Sequence, residues 1–287
     1  MVCNAYFQTA YNLSWEAKKV KKAIFFDIDG TLIDVTKGQT RINEKVRNAL
    51  KSVQSAGHYI FLATGRPLSY LDSELVNFGF DGFVLTNGAV VVIHDEVIFS
   101  EPINKNLIKE ICSICESNNI EYILQGYPKV YLRNGYKLME DFYSSIDINV
   151  DDFVRNFDVN DIDVYKMEFL TERKDVNEIY QHWLHDTELT GITDPFHYNN
   201  LELYARKNTK ASGIIHAINH LGIDIKNSYA FGDGLNDIEM IKTVGCGIAM
   251  GNGNPKLKEL AKYVVPSIHD DGVAYGINKY ILEVAPE

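Results

Sequence analysis

Short apolar segments alternate with amphipathic ones in both terminal regions of this 287-residue chain, and no other feature of the sequence constrains the fold as strongly. Residues 23–27 (AIFFD) and 59–63 (YIFLA) have the length and apolar character of buried strands, and the segment between them has a helical pattern that stops at Gly57. A second helical pattern begins at Pro67, and further alternation follows residue 207. Strands that are apolar throughout and separated by helices are typical of a parallel sheet covered on both faces.

This alternation is interrupted in the middle of the chain. From residue 87 onward, two apolar runs flank a His-Asp turn, which predicts an antiparallel hairpin, and more strands and two helical segments follow. We therefore predict an α/β fold in which a doubly wound, mostly parallel sheet carries an inserted α+β domain. The predicted parts are an N-terminal extension at 1–20, a core formed by 21–86 and 207–287, and an insert at 87–206.

The composition is that of an ordinary globular protein, and it excludes some classes of function. Hydrophobic residues make up 46% of the chain, which is enough for a sizeable core. The formal net charge of −11 argues against a general nucleic-acid binder or a protein held to an anionic membrane by a basic patch. No apolar run approaches the ~18 residues of a membrane-spanning helix, and the first 19 residues lack the features of a signal peptide. We expect a soluble cytoplasmic protein, whose oligomeric state the sequence leaves open.

The four cysteines are too few and too scattered for a disulfide framework. Cys112 and Cys115 form a C-x-x-C pair, but they lie in a helical apolar pattern and no second pair follows. We expect buried, reduced thiols rather than a redox or metal motif.

Carboxylates follow two of the predicted core strands. Asp27 and Asp29, in the segment DIDGT, leave the end of the first strand, and Asp233 leaves a later apolar run within GDGLND. Ligand crevices of parallel sheets lie at the carboxyl ends of the strands, and neighbouring carboxylates repel unless a cation holds them. Hard oxygen ligands select Mg²⁺. Ordinary turns and helix caps in the same loops remain an open alternative for each motif alone.

A polar loop and a lysine complete the pattern. Thr64, Gly65 and Arg66 follow the second strand, where a hydroxyl and free backbone N–H groups make a small anion site. Lys210 begins a predicted helix, although the helix dipole disfavours a cation there. Taken singly, each has an ordinary explanation: the loop at Thr64 could be a simple turn, and Lys210 could be a solvated side chain. Together, however, these features match what phosphoryl transfer needs. One sheet edge would carry a carboxylate pair, an anion site, a lysine and an acidic glycine loop.

The four motifs (DIDGT, TGR, the lysine of NTKASG, and GDGLND) resemble those of the haloacid dehalogenase-like phosphatase superfamily. The insert looks like the C2-type cap of the Cof-like sugar-phosphatase branch, and CGIAMGNG and HDDGVA are similar to that branch too. The resemblance covers residues 21–287. It implies a Mg²⁺-dependent phosphatase that acts on a small phosphorylated metabolite, such as a sugar phosphate.

The resemblance also implies a role for each matching residue. Asp27 would be the nucleophile that forms an aspartyl-phosphate, and Asp29 would protonate the leaving oxygen and then activate water. The metal would be held by the side chains of Asp27 and Asp233 and by the backbone carbonyl of Asp29, with Asp237 supporting the metal's waters. The residues implied to bind substrate or phosphate are Ile28, Thr64, Gly65, Arg66, Lys210 and Asn236.

Two other functions remain open at this stage. A phosphate-ligand sensor would bind without turnover, but it has no need of the acid/base group that Asp29 supplies. A phosphomutase would return the phosphoryl group to an intermediate instead of to water. The motifs specify neither the individual phosphate ester nor the insert residues that select it.

Overall fold

The computed structural model of the chain describes residues 20–146, 148–185, 188–193 and 199–283. Residues 1–19, which make up nearly all of the predicted extension and include Cys3, lie outside the described residues. Among the residues that are described, no helix is both long enough and apolar enough to cross a bilayer.

Two β-sheets and nine α-helices make up the described part of the chain. The strands are β1 (Ala23–Phe26), β2 (Tyr59–Ala63), β3 (Gly82–Leu85), β4 (Val90–Ile93), β5 (Glu96–Ser100), β6 (Glu121–Gln125), β7 (Val130–Leu132), β8 (Lys166–Leu170), β9 (Leu189–Thr193), β10 (Asn200–Ala205), β11 (Ser228–Gly232), β12 (Cys246–Ala249) and β13 (Tyr263–Val264). The helices are α1 (Glu44–Ser55), α2 (Ser73–Val76), α3 (Lys105–Ser117), α4 (Lys137–Ser145), α5 (Asn177–Leu184), α6 (Lys210–Leu221), α7 (Ile238–Thr243), α8 (Pro255–Leu260) and α9 (Gly272–Tyr280).

The larger sheet has eight strands in the order β13-β12-β11-β1-β2-β3-β4-β5. The strands run parallel from β13 to β3, and the hairpin β4-β5 is antiparallel. Alternate residues of β1 face opposite ways, so that Ile24 and Phe26 belong to one buried cluster with α1 and α9. Ala23 and Phe25 belong to another cluster, with α6 and α7. The sheet is therefore covered on both faces, and the predicted α/β class with a mostly parallel sheet is confirmed.

The smaller sheet has five antiparallel strands in the order β7-β6-β8-β10-β9. One face packs on α3 and α5 through apolar side chains such as Tyr122, Met167 and Leu201. Cys112 and Cys115 are buried in the same layer as free thiols, which confirms the structural interpretation of this pair.

The hairpin β4-β5 differs from the sequence-based expectation. We expected it in the inserted domain, but β4 pairs with β3 and extends the larger sheet. An antiparallel pair at the edge of an otherwise parallel sheet is common, and all four residues of β4 are buried there. The smaller sheet begins only after residue 100. The division of the chain into domains at 87 and 206 stays a prediction.

The helix expected from Pro67 is broken. The chain forms a 3₁₀ turn at Leu68–Tyr70 and becomes extended at Leu71. It enters α2 only after Asp72, whose side chain accepts a hydrogen bond from the backbone N–H of Glu74. An aspartate that bonds its own downstream backbone competes with a continuous helix. In contrast, α4 forms in a polar stretch where the sequence pattern predicts no helix.

Candidate active site

Polar side chains from three adjacent strands meet at one edge of the larger sheet. Asp27 and Asp29 follow β1, Thr64 follows β2 and Asp233 follows β11, and these strands are neighbours in the order β11-β1-β2. Loops at the carboxyl ends of parallel strands converge on one crevice. The strand order therefore brings together residues that are far apart in the sequence.

Lys210 joins two carboxylates in this crevice. It is the first residue of α6, and its side chain is only 1% exposed. Its Nζ donates hydrogen bonds to Oδ1 of Asp27 and, at 2.7 Å, to Oδ1 of Asp237. Burial alone would lower the pKa of Lys210, but Asp237 and Asp27 more than offset this effect and raise it. Lys210 is therefore a buried, charged group and not the solvated lysine that helix starts usually carry.

Asp237 holds the acidic glycine loop in shape. Its side chain is fully buried, and Oδ2 accepts hydrogen bonds from the backbone N–H groups of Asp233 and Gly234, both at 2.9 Å. Oδ1 accepts from Lys210. Because both carboxylate oxygens have protein donors, Asp237 is well suited to position Asp233 and Lys210.

Three carboxylates have the spacing of metal ligands. One oxygen from each of Asp27, Asp233 and Asp237 lies within 4.8 Å of the others. Burial and repulsion from Asp237 raise the pKa of Asp27 well above its ordinary value, although Lys210 acts in the opposite direction. Burial and Asp237 also raise the pKa of Asp233, to about 6. Three carboxylates and one ammonium group leave a formal excess of two negative charges, which a divalent cation relieves, and an all-oxygen donor set fits Mg²⁺.

The loop after β1 approaches Asp233 closely. Gly30 has a φ of +82°, and a Cβ at this position would lie 2.6 Å from Cγ of Asp233. The next residue, Thr31, donates a hydrogen bond from its hydroxyl to Oδ1 of Asp233 at 3.2 Å. Glycine is the residue that tolerates both this backbone conformation and this approach.

Arg66 makes a two-point ion pair with Asp29. Its Nε donates to Oδ2 at 2.9 Å and its Nη2 donates to Oδ1 at 2.5 Å. Its Nη1 donates to the backbone carbonyl of Tyr70 at 3.2 Å. Paired hydrogen bonds of this kind fix the orientation of the carboxylate. The sequence pattern predicts an anion-binding role for Arg66 but contains no sign of this pairing.

One cavity of about 780 Å³ connects this edge with the smaller sheet. Asp27 and Asp29 line one end, and Lys166 and Glu202 of the smaller sheet line the other. Its size suits a small-molecule ligand.

Residues 24–277 match a family model described as haloacid dehalogenase-like hydrolase. The chain belongs to this family. The predicted superfamily and enzyme class, a hydrolase of the haloacid dehalogenase-like phosphatase type, are confirmed.

Similar proteins include several named phosphatases. YkrA, a candidate phosphatase of Bacillus subtilis, is 30% identical over 266 residues, which cover 90% of this chain and 97% of YkrA. The 5-amino-6-(5-phospho-D-ribitylamino)uracil phosphatase YcsE of the same species is 30% identical over 265 residues, covering 91% of this chain and 96% of YcsE. Among solved structures, the subclass IIB sugar phosphatase BT4131 aligns with a TM-score of 0.74 at 28% identity, covering 91% of this chain and 99% of BT4131.

Within this haloacid dehalogenase-like hydrolase, the ten predicted site residues lie in one region. Six of them line the cavity: Asp27, Asp29, Thr64, Gly65, Arg66 and Asn236. The other three polar residues lie beside Asp27. Lys210 donates a hydrogen bond to it, and Asp233 and Asp237 each have a carboxylate oxygen within 4.8 Å of one of its own. The side chain of Ile28 is fully buried in the apolar core, so only its backbone is left to serve a substrate. The individual roles stay predictions.

Two asparagines near the site are absent from the sequence-based prediction. Asn252 donates to the backbone carbonyl of Gly30 at 2.8 Å and accepts from the backbone N–H of Ile268 at 2.9 Å, so it ties the DIDGT loop to a late segment. Asn87 is buried with a φ of +54°, and its Oδ1 lies 3.0 Å from where a Cβ on Gly65 would be. Asn87 follows β3, so listing the polar residues after every core strand would have found it.

Proposed function

We propose that this enzyme is a Mg²⁺-dependent phosphatase of small phosphate monoesters, such as sugar phosphates, and that it passes the phosphoryl group through Asp27 to water. The supporting observation is that Asp27 accepts a hydrogen bond from Lys210 and has a carboxylate oxygen within 4.8 Å of one of Asp233. Asp27 and Asp29 line the same cavity. A nucleophile, a cation and an acid/base group thus share one site. The names of YcsE and BT4131 agree with a phosphorylated metabolite as substrate.

In the first step an oxygen of Asp27 attacks phosphorus. The bond between phosphorus and the leaving oxygen breaks, and Asp29 gives its proton to that oxygen. Lys210 orients the attacking carboxylate and, with the Thr64 hydroxyl, counters the charge on the phosphoryl oxygens. Arg66 donates to both oxygens of Asp29 and must release at least one before Asp29 can carry a proton. The incoming phosphate is the anion that replaces Asp29 as the partner of Arg66.

In the second step water hydrolyses the aspartyl-phosphate. Asp29, now a carboxylate, takes a proton from a water molecule while the water oxygen attacks phosphorus. The bond between phosphorus and the Asp27 oxygen breaks, which releases phosphate and restores the Asp27 carboxylate. The first and second steps use the two protonation states of Asp29 in turn, so no further acid or base is required.

The residues present fit a Mg²⁺ ion. Asp27 and Asp233 would hold it, and Asp237 would keep Asp233 in place. When bound, the ion supplies positive charge to the phosphoryl oxygens and favours the ionised form of Asp27. The formal excess of negative charge among these carboxylates is the observation that supports this assignment.

Asp27→Asn tests the nucleophile. Because the amide is nearly isosteric but cannot form the phosphoenzyme, we expect hydrolysis of p-nitrophenyl phosphate to fall at least 1,000-fold, as for loss of an essential nucleophile (on the order of 10³ or more). Asp175→Asn makes the same change at an exposed residue between β8 and α5 and is expected to keep the wild-type rate. Mass spectrometry after acid quench should find one phosphoryl group on the wild-type peptide that contains Asp27. A wild-type rate in Asp27→Asn would refute the proposal.

Removal of the metal tests the cofactor. A chelator is expected to stop turnover, added Mg²⁺ to restore it, and Ca²⁺ to restore little of it because its coordination is looser and more variable. Full activity in excess chelator would rule out a metal requirement.

A further inference from the structure

The smaller sheet turns a polar face toward the catalytic crevice. Across neighbouring strands, Gln125 pairs with Lys166 and Glu168 pairs with Glu202, and residues that are opposite each other share a face. Asn200 lies two residues before Glu202 on β10 and shares that face too. Apart from Gln125, these residues line the 780 Å³ cavity, whereas the opposite face packs on α3 and α5.

Lys166 and Glu168 are buried and held by their neighbours. Nζ of Lys166 lies 2.6 Å from Oε2 of Glu202 and 3.2 Å from Oε1 of Glu168. Glu168 also accepts hydrogen bonds from Nε2 of Gln125, at 2.5 Å, and from the Tyr143 hydroxyl. Although burial acts to lower it, the pKa of Lys166 is raised by Glu202 and Glu168. The ammonium group is therefore fixed and charged inside the cavity wall.

Glu202 and Asn200 have unused hydrogen-bonding capacity. The side chain of Glu202 is 39% exposed, and Lys166 is its partner at Oε2. Asn200 lines the cavity, and within the described residues no hydrogen bond to its side-chain amide is found. An amide that faces a cavity without a protein partner is available to hydrogen-bond a ligand there.

Folding alone does not account for this arrangement. Glu168 and Glu202 are directly opposite each other on adjacent strands, where like charges destabilise a sheet. Lys166 offsets only one of the two negative charges. Apolar residues would cover the crevice without this cost.

We propose that this polar face binds the leaving group of the substrate and selects neutral, polyhydroxylated leaving groups over anionic ones. The inference rests on the phosphatase function proposed above. A hydroxyl group can donate to Glu202 and accept from the Asn200 amide. A carboxylate or second phosphate would meet one lysine and two glutamates, which together carry a formal charge of −1. Repulsion of this kind is how a site rejects a competing ligand.

Sorbitol 6-phosphate and 6-phosphogluconate form a matched pair of test substrates. Both are open six-carbon chains with a terminal phosphate, but the second carries a carboxylate at the far end. We expect the wild-type enzyme to prefer sorbitol 6-phosphate by at least tenfold in kcat/KM. Where turnover is slow, inhibition constants against p-nitrophenyl phosphate give the same ratio. Equal values, or a preference for 6-phosphogluconate, would overturn the inference without any variant.

Glu202→Gln tests the residue assignment. Removing this negative charge is expected to lower the preference for sorbitol 6-phosphate at least fivefold, mainly by improving KM for 6-phosphogluconate. Glu172→Gln makes the same charge change at an exposed position between β8 and α5 and should keep the wild-type ratio. An unchanged ratio in folded Glu202→Gln would overturn the assignment.

A control substrate separates the two proposals. Hydrolysis of p-nitrophenyl phosphate without selectivity between the matched pair would overturn this inference and leave the phosphatase function standing. Failure to hydrolyse any phosphate ester, p-nitrophenyl phosphate included, would remove both.

Discussion

Gly30→Ala is expected to damage catalysis far more than folding. The added Cβ would lie 2.6 Å from Cγ and 2.7 Å from Oδ1 of Asp233. Because a comfortable contact between carbon atoms is about 3.5 Å or more, Asp233 or the loop must move by about 1 Å. A displacement of this size in a catalytic group can cost about 100-fold in rate. We therefore expect kcat/KM to fall about 100-fold and the apparent affinity for Mg²⁺ to fall as well.

Gly38→Ala is the matched control. Gly38 has a φ of +76°, close to that of Gly30, but a Cβ there would have no atom within 4 Å. Both variants therefore carry the cost of an L-residue in the left-handed region, about 1–2 kcal/mol. At about 2–4 °C per kcal/mol, which applies to chains of 150–250 residues, each should lower Tm by several degrees. Only Gly30→Ala places an atom against Asp233.

The assay compares steady-state hydrolysis of p-nitrophenyl phosphate over a Mg²⁺ titration with thermal unfolding of both variants. Gly38→Ala should keep kcat/KM within about twofold of wild type, since surface changes away from special features have small effects. If Gly30→Ala keeps kcat/KM within threefold of wild type, or if both variants lose activity equally, the close approach to Asp233 has no catalytic importance and the reasoning fails.

Three further predictions concern Lys210, Cys112 and Tyr70. Lys210→Met leaves Asp27 in a buried site without its cation, so the free energy of unfolding should fall by about 3–5 kcal/mol, measured by urea denaturation in chelator, and turnover should be lost. Burial raises the pKa of Cys112 to about 12, so its thiol should resist iodoacetamide at pH 8 in the native state and react in urea. Because the unfolded thiol ionises at lower pH, this group should also reduce stability as pH rises above about 8.5. Tyr70→Ala removes ring contacts to Tyr143 and Phe153 at centroid distances of 5.3 and 5.9 Å and should raise KM, whereas Tyr70→Phe keeps the rings and should change KM little.

The location of the site could be predicted from the sequence because it follows from topology. Once β1, β2 and β11 are read as parallel strands, the polar residues that follow them must meet at one edge, whatever the details of the loops. The placement of Lys210 was harder, since a lysine at a helix start is usually solvated. Its burial depends on Asp27 and Asp237 arriving from other parts of the chain.

Two features could not be predicted in this way, because each depends on which of two possible partners a segment or side chain meets in the folded chain. The hairpin β4-β5 is compatible with either sheet by its apolar pattern, and the open edge beside β3 decides its position. Arg66 could pair with a bound anion or with a neighbouring carboxylate, and in this structure its partner is Asp29. Local patterns contain no information on either outcome.

The polar face of the smaller sheet could be predicted in part. Lys166 and Glu168 alternate with apolar neighbours on β8, and Asn200 and Glu202 do the same on β10, so the period of two already predicts one polar face on each strand. What the sequence lacks is the register that sets Glu168 opposite Glu202. That register causes the repulsion between Glu168 and Glu202 and places both carboxylates in the same part of the cavity wall. Because a one-residue slip would bury the charged face against the helices, the apolar residues that pack on α3 and α5 fix the charge that a substrate meets. Selectivity against anionic leaving groups would then depend on the apolar cluster between the smaller sheet and its helices as much as on the residues that line the cavity.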